Sequence, residues 1–132
     1  MTAPDLGLIR RRLVDQVGQH CGAKGYPYAP AKIATTPCVF IGSLERTVAT
    51  MDGAVDLACK LYFFTRAGGD HHLAELDGAV HGESSVVAAI DDDPTLGLDG
   101  VSVVCGQAGD YSLHEWGDAQ FWGSMTELTL ML

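Results

Sequence analysis

The sequence predicts one α+β domain, residues 1–132, in which helices pack on one face of a mainly antiparallel or mixed sheet. Three observations lead to this fold class. A chain of 132 residues has the length of a single domain. Apolar residues make up 47% of it, which suits a globular protein with a core. Helical and strand patterns follow one another in separate runs, and such segregation is typical of α+β folds.

The first run, residues 5–20, predicts an amphipathic helix. Asp5 is a suitable N-cap, and Gly22 is a suitable residue to end the helix. We expect Gln16 and the neighbouring arginines on the solvent-facing side of this helix. The apolar residues recur at steps of three and four positions and form one stripe: Leu6, Ile9, Leu13 and Val17.

Residues 22–37 predict an extended, turn-rich connection. This stretch contains repeated glycine and proline residues, which do not continue a helix. The wholly apolar run that follows, residues 38–41, is typical of a strand that is buried on both faces. We expect Gly42 to end that strand.

A hairpin is the clearest local prediction. Asp52 and Gly53 favour the positive φ angles of a tight turn between strands at residues 47–51 and 55–64. The second of these strands alternates strictly between its two faces. One face becomes aromatic toward the end of the strand, so we expect a helix or another subunit to cover it there.

The second half of the chain predicts two further helices and then three strands. Residues 70–80 and 84–90 carry the helical patterns. Gly123, inside the last strand, indicates a bulge or the close approach of another group to the backbone. The alternating segments predict strands at residues 101–105, 111–116 and 119–132, the last two joined through Gly117 and Asp118.

The charge of the chain excludes several functional classes. The net charge is −9 and the isoelectric point is near 4.7, so the surface repels phosphate backbones and disfavours sequence-specific nucleic-acid binding.

The apolar runs are far shorter than the roughly twenty residues of a membrane span. No signal-peptide pattern follows the N-terminal arginines, so we expect the protein to stay in the compartment where it is made.

Catalytic and metal-binding patterns are weak throughout the sequence. The four cysteines are far apart and form no CxxC pair, so we interpret them as small buried side chains. His71, His72 and Glu75 lie within one predicted helical turn, but a zinc site needs further converging ligands. The acidic run at residues 91–93 fails the calcium-loop pattern, and we expect it to end a helix or to meet a basic patch on a partner. We therefore predict no catalytic residue, no metal and no cofactor; a small metal-dependent or thiol enzyme is the less favoured alternative.

From residue 30 onward, the order of features resembles the tail terminator (tail-completion) proteins of long-tailed phages (siphoviruses), especially those of actinobacterial hosts. The run Asp-Pro-Thr-Leu-Gly at residues 93–97 is the most characteristic, because it follows a short helix and precedes a strand, as in that family. Leu98 is a departure, since the family often has a second glycine there. The other matching stretches are residues 37–42, 55–64, 73–77, 82–90 and 101–104, Tyr111, and residues 121–123 with the alternating strand that follows.

The resemblance implies a structural virion protein without enzymatic activity. Family members form a hexameric ring on the phage tail tube, end polymerisation of the major tail tube protein and dock to the head-closure (stopper) protein, while DNA passes through the lumen. The implied location is the neck of the virion, at the head-proximal end of the tail, after assembly in the host cytoplasm and away from any membrane. The alternatives are another neck or tail-completion ring of head-closure or adaptor type, and a monomeric binding or chaperone module.

Two regions are the predicted contact elements of such a ring, the hairpin at residues 43–54 and the segment at residues 106–119. Hairpin tips and loops project from a sheet, and unpaired strand edges are templates for another chain. We expect Trp116 to be the most exposed aromatic residue, and its replacement by alanine to weaken association without unfolding the chain. The candidate residues for contact with the tube or within the ring are Glu45, Arg46, Met51, Asp52, Tyr111, Trp116 and Asp118.

Overall fold

The computed structural model describes residues 5–49, 55–67, 74, 76–78, 85–98 and 100–131, without the side chains of residues 47–49, 55, 110 and 111. These residues form a single α+β domain, as the sequence predicts. Residues 74 and 76–78 are helical, in agreement with the helix expected there. The complete elements are α1 (Leu6–Cys21), β1 (Lys24–Tyr26), β2 (Cys38–Ala49), β3 (Val55–Arg66), α2 (Val86–Asp92), β4 (Ser102–Trp116) and β5 (Ala119–Met131).

Helix α1 begins and ends where its capping residues predict. The Asp5 carboxylate accepts a hydrogen bond from the Gly7 N–H at 2.9 Å and so satisfies a donor at the start of the helix. Gly22 adopts a left-handed φ of 69°, and the Ala23 N–H donates to the Gly18 carbonyl at 2.8 Å. This arrangement closes the C-terminus in the manner of a glycine cap.

The sheet contains five described strands in the order β1-β2-β3-β5-β4. β1 runs parallel to β2, and every other neighbouring pair is antiparallel. β2 and β3 form the expected hairpin, with Ala49 opposite Val55, and its predicted turn lies outside the described residues. The sheet is therefore mixed, and its one parallel pair is at an edge.

Three features of the sheet correct the sequence prediction. β2 does not end at Gly42 but continues to Ala49 after a register shift between Ile41 and Ser43. Glycine is required at residue 42 because a Cβ there would overlap the ring of Tyr62 on β3. The strands expected at residues 101–105 and 111–116 are one strand, β4, with two register shifts in its pairing with β5. β1 was not expected within the turn-rich connection.

The main core lies between the helices and one face of the sheet. Ile9, Leu13, Val14 and Val17 of α1 are fully buried there, and Ala89 and Ile90 of α2 pack into the same cluster. Leu76, in the partly described helix, packs on Phe63 of the same sheet face. All the described helices therefore cover one face, as predicted. The sheet contributes Val39, Ile41, Leu57, Cys59, Leu61, Val103, Leu128 and Leu130 to this cluster.

No helix in the described ranges is long and apolar enough to cross a membrane.

Candidate functional site

The two outer edges of the sheet are the strongest candidates for a functional surface. β4 is the last strand of the sheet and is 15 residues long. On the opposite side, β1 pairs only with residues 38–40 of β2. Within the described part of the chain, no strand lies beside the outer edge of β4 or beside residues 42–49 of β2. We call these segments the β4 edge and the β2 edge.

The β4 edge carries apolar side chains that are unusually exposed. Val104 is 49% exposed on the face opposite the helices, and Leu113 is 47% exposed on the helix-bearing face. Residues 102–109 contain no charged side chain and no proline. Natural edge strands are commonly protected by lysine, proline or a covering segment. Only at its start is this edge occupied among the described residues, where the Val103 N–H donates to the Pro94 carbonyl at 2.8 Å.

On the sheet face opposite the helices, one end of the strands is exposed among the described residues. Lys60 of β3 lies directly opposite Glu127 of β5, and both side chains are exposed. Thr129 and Met131 continue this surface on β5. The mixture of charged and apolar side chains is typical of a solvated or transiently covered sheet face.

The other half of this face is closed by an aromatic cluster. Phe40 stacks on Tyr62 at a centroid distance of 5.5 Å, and Phe64 stacks on Phe121 at 5.7 Å. Ile33, from the connection before β2, packs into the same cluster. The aromatic end of β3 was expected to lie under a helix or another subunit, and in the structure the connection covers it instead.

Trp116 belongs to this cluster, so the prediction that it is the most exposed aromatic residue is wrong. Its ring lies 4.9 Å from that of Phe40, and its indole N–H donates to the Pro30 carbonyl at 2.6 Å. The side chain is half-buried, whereas that of Tyr28 is 61% exposed. Trp116 therefore anchors the connection to the sheet and is not the most exposed aromatic residue.

The remaining contact candidates fall in different places. Glu45 and Arg46 are exposed on the β2 edge, and Asp118 is exposed in the turn between β4 and β5. The backbone of Tyr111 lies in β4, but its side chain is not described. Met51 and Asp52 lie outside the described residues. The structure thus places Arg46 on β2 and Asp118 in the turn beside β4, at opposite sides of the sheet.

A polar groove of about 510 Å³ separates α1 from α2 and the loop after it. The Gln16 amide crosses this groove and donates to the carbonyls of Ala89, at 2.7 Å, and Asp93, at 2.9 Å. Gln16 is therefore half-buried, although its position in the sequence predicted the solvent-facing side of α1. The Asp93 carboxylate accepts from the N–H and hydroxyl of Thr95, at 3.2 and 2.7 Å, and ends α2 as expected.

The thiols are in an environment that suppresses their reactivity. Burial raises the pKa of Cys38 and Cys59 to about 12 and that of Cys21 and Cys105 to about 11. The nearby Asp91 carboxylate adds to the increase in the pKa of Cys105. The thiolate is the nucleophilic form of cysteine, so these groups are poor nucleophiles near neutral pH.

Metal ligands do not come together in the part of the chain that the structure describes, where no three histidine, cysteine, aspartate or glutamate residues are grouped to hold an ion. His71, His72 and Glu75 lie outside the described residues.

Val104 and Leu113 are the surface residues that sequence reasoning missed. The sequence predicts both as parts of short strands with an ordinary alternation. The signal for Val104 is the absence of charge across residues 102–109, which indicates an exposed edge once the strand is known to be the last in the described sheet; Leu113 lies outside this stretch and has no such signal.

No protein-family model matches this sequence, and no curated protein matches it. The fold defines a small α+β protein whose sheet has two edges without a neighbouring strand among the described residues.

Proposed function

We propose that this chain is a structural phage protein that forms a ring on the end of the tail tube, ends tube growth and joins the tail to the head-closure protein. The sequence resemblance to tail terminator proteins motivates the proposal. The single observation that carries it is the pair of edges, the β4 edge and the β2 edge, that have no neighbouring strand within the described residues. A subunit with two different association edges can join to identical subunits in a closed ring.

The composition agrees with a ring through which DNA passes. The net charge of −9 would line or surround the lumen with negative potential, which repels the phosphate backbone. DNA could then slide through the ring without adhering to it.

The raised pKa values of the thiols count against a cysteine-dependent enzyme as the alternative. A catalytic thiol needs a lowered pKa or an adjacent base that removes its proton. All four thiols are shifted in the opposite direction.

Native mass spectrometry of the purified protein, alone and mixed with the tail tube protein of the same phage, tests the proposal. We expect a closed oligomer, formed either alone or on tube ends, and shorter tubes when the protein is present during tube assembly. Electron microscopy of the mixture should show the protein at one end of each tube.

Two results would contradict the proposal. A monomer that leaves tube length unchanged at every concentration would exclude a capping ring. A ring that forms but never binds tube ends would instead identify another ring of the neck, of head-closure or adaptor type.

A further inference from the structure

We infer that neighbouring copies of this chain join by strand addition, the β2 edge of one copy pairing with residues 105–115 of β4 in the next, so that their sheets become continuous. This inference rests on the proposed ring and specifies how its subunits are joined. The partner is a second copy of the chain, and the bonds between copies are backbone hydrogen bonds.

The direction of the backbone groups on β4 supports this pairing. The Val103 N–H points away from β5, because it donates to the Pro94 carbonyl. Backbone groups alternate in direction along an antiparallel strand, so the N–H of Cys105 also points outward. At the other end, Trp116 pairs with Ala119 across the two-residue turn, which turns the N–H of Leu113 outward.

The β2 edge also has backbone N–H groups that point away from the sheet. The Lys24 N–H donates to the Pro37 carbonyl at 2.9 Å, which identifies the outward direction at the start of β2. The same alternation, carried through the register shift after residue 41, turns the N–H groups of Leu44 and Arg46 outward. β1 ends opposite Phe40, so no described strand is beside these groups.

The need to close a ring of subunits explains why the β4 edge should pair with the β2 edge and not with another β4 edge. Each copy has one edge of each kind. Pairing β4 with β2 uses both, and repetition around a ring leaves neither edge exposed. Pairing β4 with β4 gives a two-fold dimer whose two β2 edges are still unpaired.

Charge and apolar exposure favour the same contact. Copies with a net charge of −9 repel one another, and the first part of the paired segment, residues 105–109, adds no charge to that repulsion. A strand paired with residues 105–115 would also cover Leu113, an exposed aliphatic side chain of this edge.

A pair of proline variants tests the inference. Leu113→Pro removes an outward N–H from the β4 edge, and Arg46→Pro removes one from the β2 edge; proline at an edge position whose N–H faces outward leaves the pairing inside the subunit intact. Leu113→Thr and Arg46→Thr are the matched controls, because threonine keeps the N–H and suits a strand. Circular dichroism checks that each variant is folded.

Each proline variant alone should be monomeric by native mass spectrometry, and both threonine controls should form the wild-type ring. A mixture of the two proline variants should give a one-to-one dimer, because each retains the edge that the other lacks. A homodimer of Arg46→Pro alone would instead show pairing between two β4 edges and overturn the inference. Full rings formed by both proline variants would also overturn it.

Amide hydrogen exchange on the wild-type protein gives a second test that needs no variant. In the ring, the outward-facing amides of Leu44, Arg46, Cys105 and Leu113 should exchange about tenfold more slowly than in the dissociated monomer. Equal rates in both segments, in a ring that does form, would overturn strand addition and leave the proposed function standing. If no ring forms with or without tubes, the proposed function itself fails.

Discussion

The indole N–H of Trp116 donates to the carbonyl of Pro30 at 2.6 Å and fastens the connection before β2 to the end of β4. The two residues are 86 positions apart in the sequence. This bond holds Ile33 over the aromatic cluster on the sheet face opposite the helices. Ile33 there shields the rings of Phe40 and Phe64 from water. The connection is therefore part of the core, although its composition is that of a loop.

Replacement of Trp116 should destabilise the fold. We expect Trp116→Ala to lower the free energy of unfolding by about 3 kcal/mol, because it removes a large side chain from the aromatic cluster. Trp116→Phe should cost only about 1 kcal/mol, the net contribution of the lost hydrogen bond. Urea denaturation of both variants measures the difference. Equal stability of Trp116→Ala and the wild type would show that this side chain does not support the cluster.

Gly123 should tolerate no side chain. A Cβ at this position would overlap the ring of Phe64 and lie 2.9 Å from Cδ2 of His114. We expect Gly123→Ala to cost about 2 kcal/mol in thermal or chemical unfolding, since the rings must move out of their packing.

Gly109→Ala is the matched control for Gly123→Ala. Gly109 lies in β4 beside β5, and a Cβ there would meet nothing within 4 Å. Alanine at this position should change stability by less than about 1 kcal/mol, in the stabilising direction, because it reduces the entropy of the unfolded chain. The reverse order of the two variants would contradict the packing described here.

Gln16 should contribute to stability through the carbonyls that it satisfies. Gln16→Ala removes the donor to the Ala89 and Asp93 carbonyls at the C-terminal end of α2, and we expect a loss of about 1–2 kcal/mol. Gln19→Ala, at an exposed position one turn along α1, should be neutral within about 0.5 kcal/mol. Chemical denaturation of both variants compares them. An equal effect at both positions would show that helix propensity, not the bridging amide, is responsible.

The buried thiols should make the fold less stable in alkali. Burial raises the pKa of Cys38 and Cys59 from 9.0 to about 12, so the folded state holds protons that the unfolded state releases. Ionisation of these thiols therefore leaves the free energy of unfolding unchanged below pH 9 and lowers it as the pH rises from 9 toward 12. We expect a loss of about 1 kcal/mol per thiol by pH 10.

Cys59→Ala provides the control for the alkaline effect. It should be less stable than the wild type at pH 7, because it leaves a cavity, but its stability should fall less steeply between pH 9 and pH 11. The titration of tyrosine and lysine is common to both proteins and cancels in the comparison. Identical slopes would show that ionisation of Cys59 does not influence the fold.

The elements that the sequence predicted well are those whose signals are local. Asp5 caps the N-terminus of α1 with its carboxylate, and Gly22 ends the helix with a left-handed φ. The strict alternation of residues 55–64 is typical of a strand with two different faces.

The errors occur where distant residues decide the outcome. Gly42 predicts the end of a strand, yet β2 continues because β3 supplies the hydrogen bonds and the Tyr62 ring requires the space. The strands expected at residues 101–105 and 111–116 are one strand because both pair with β5.

The candidate surface was predictable only in part. The hairpin and the 106–119 segment contain Arg46 and Leu113, which lie on the two edges of the sheet. The particular role of Trp116 was not predictable, because its bond partner, Pro30, is identified only once the chain is folded. Val104 could be recognised as an edge residue only after the strand order was known.

The position of β5 between β3 and β4 has a consequence for synthesis on the ribosome. β3 can pair with β2 as soon as the hairpin emerges, but its other neighbour is β5, which is also the strand that pairs with β4 in the described part of the chain. Until residues 119–131 have left the exit tunnel, β4 has no place in a sheet, and the long-range pairing that fixes it cannot begin. Nascent chains on a polysome therefore carry β4 without its partner strand until β5 has been synthesised.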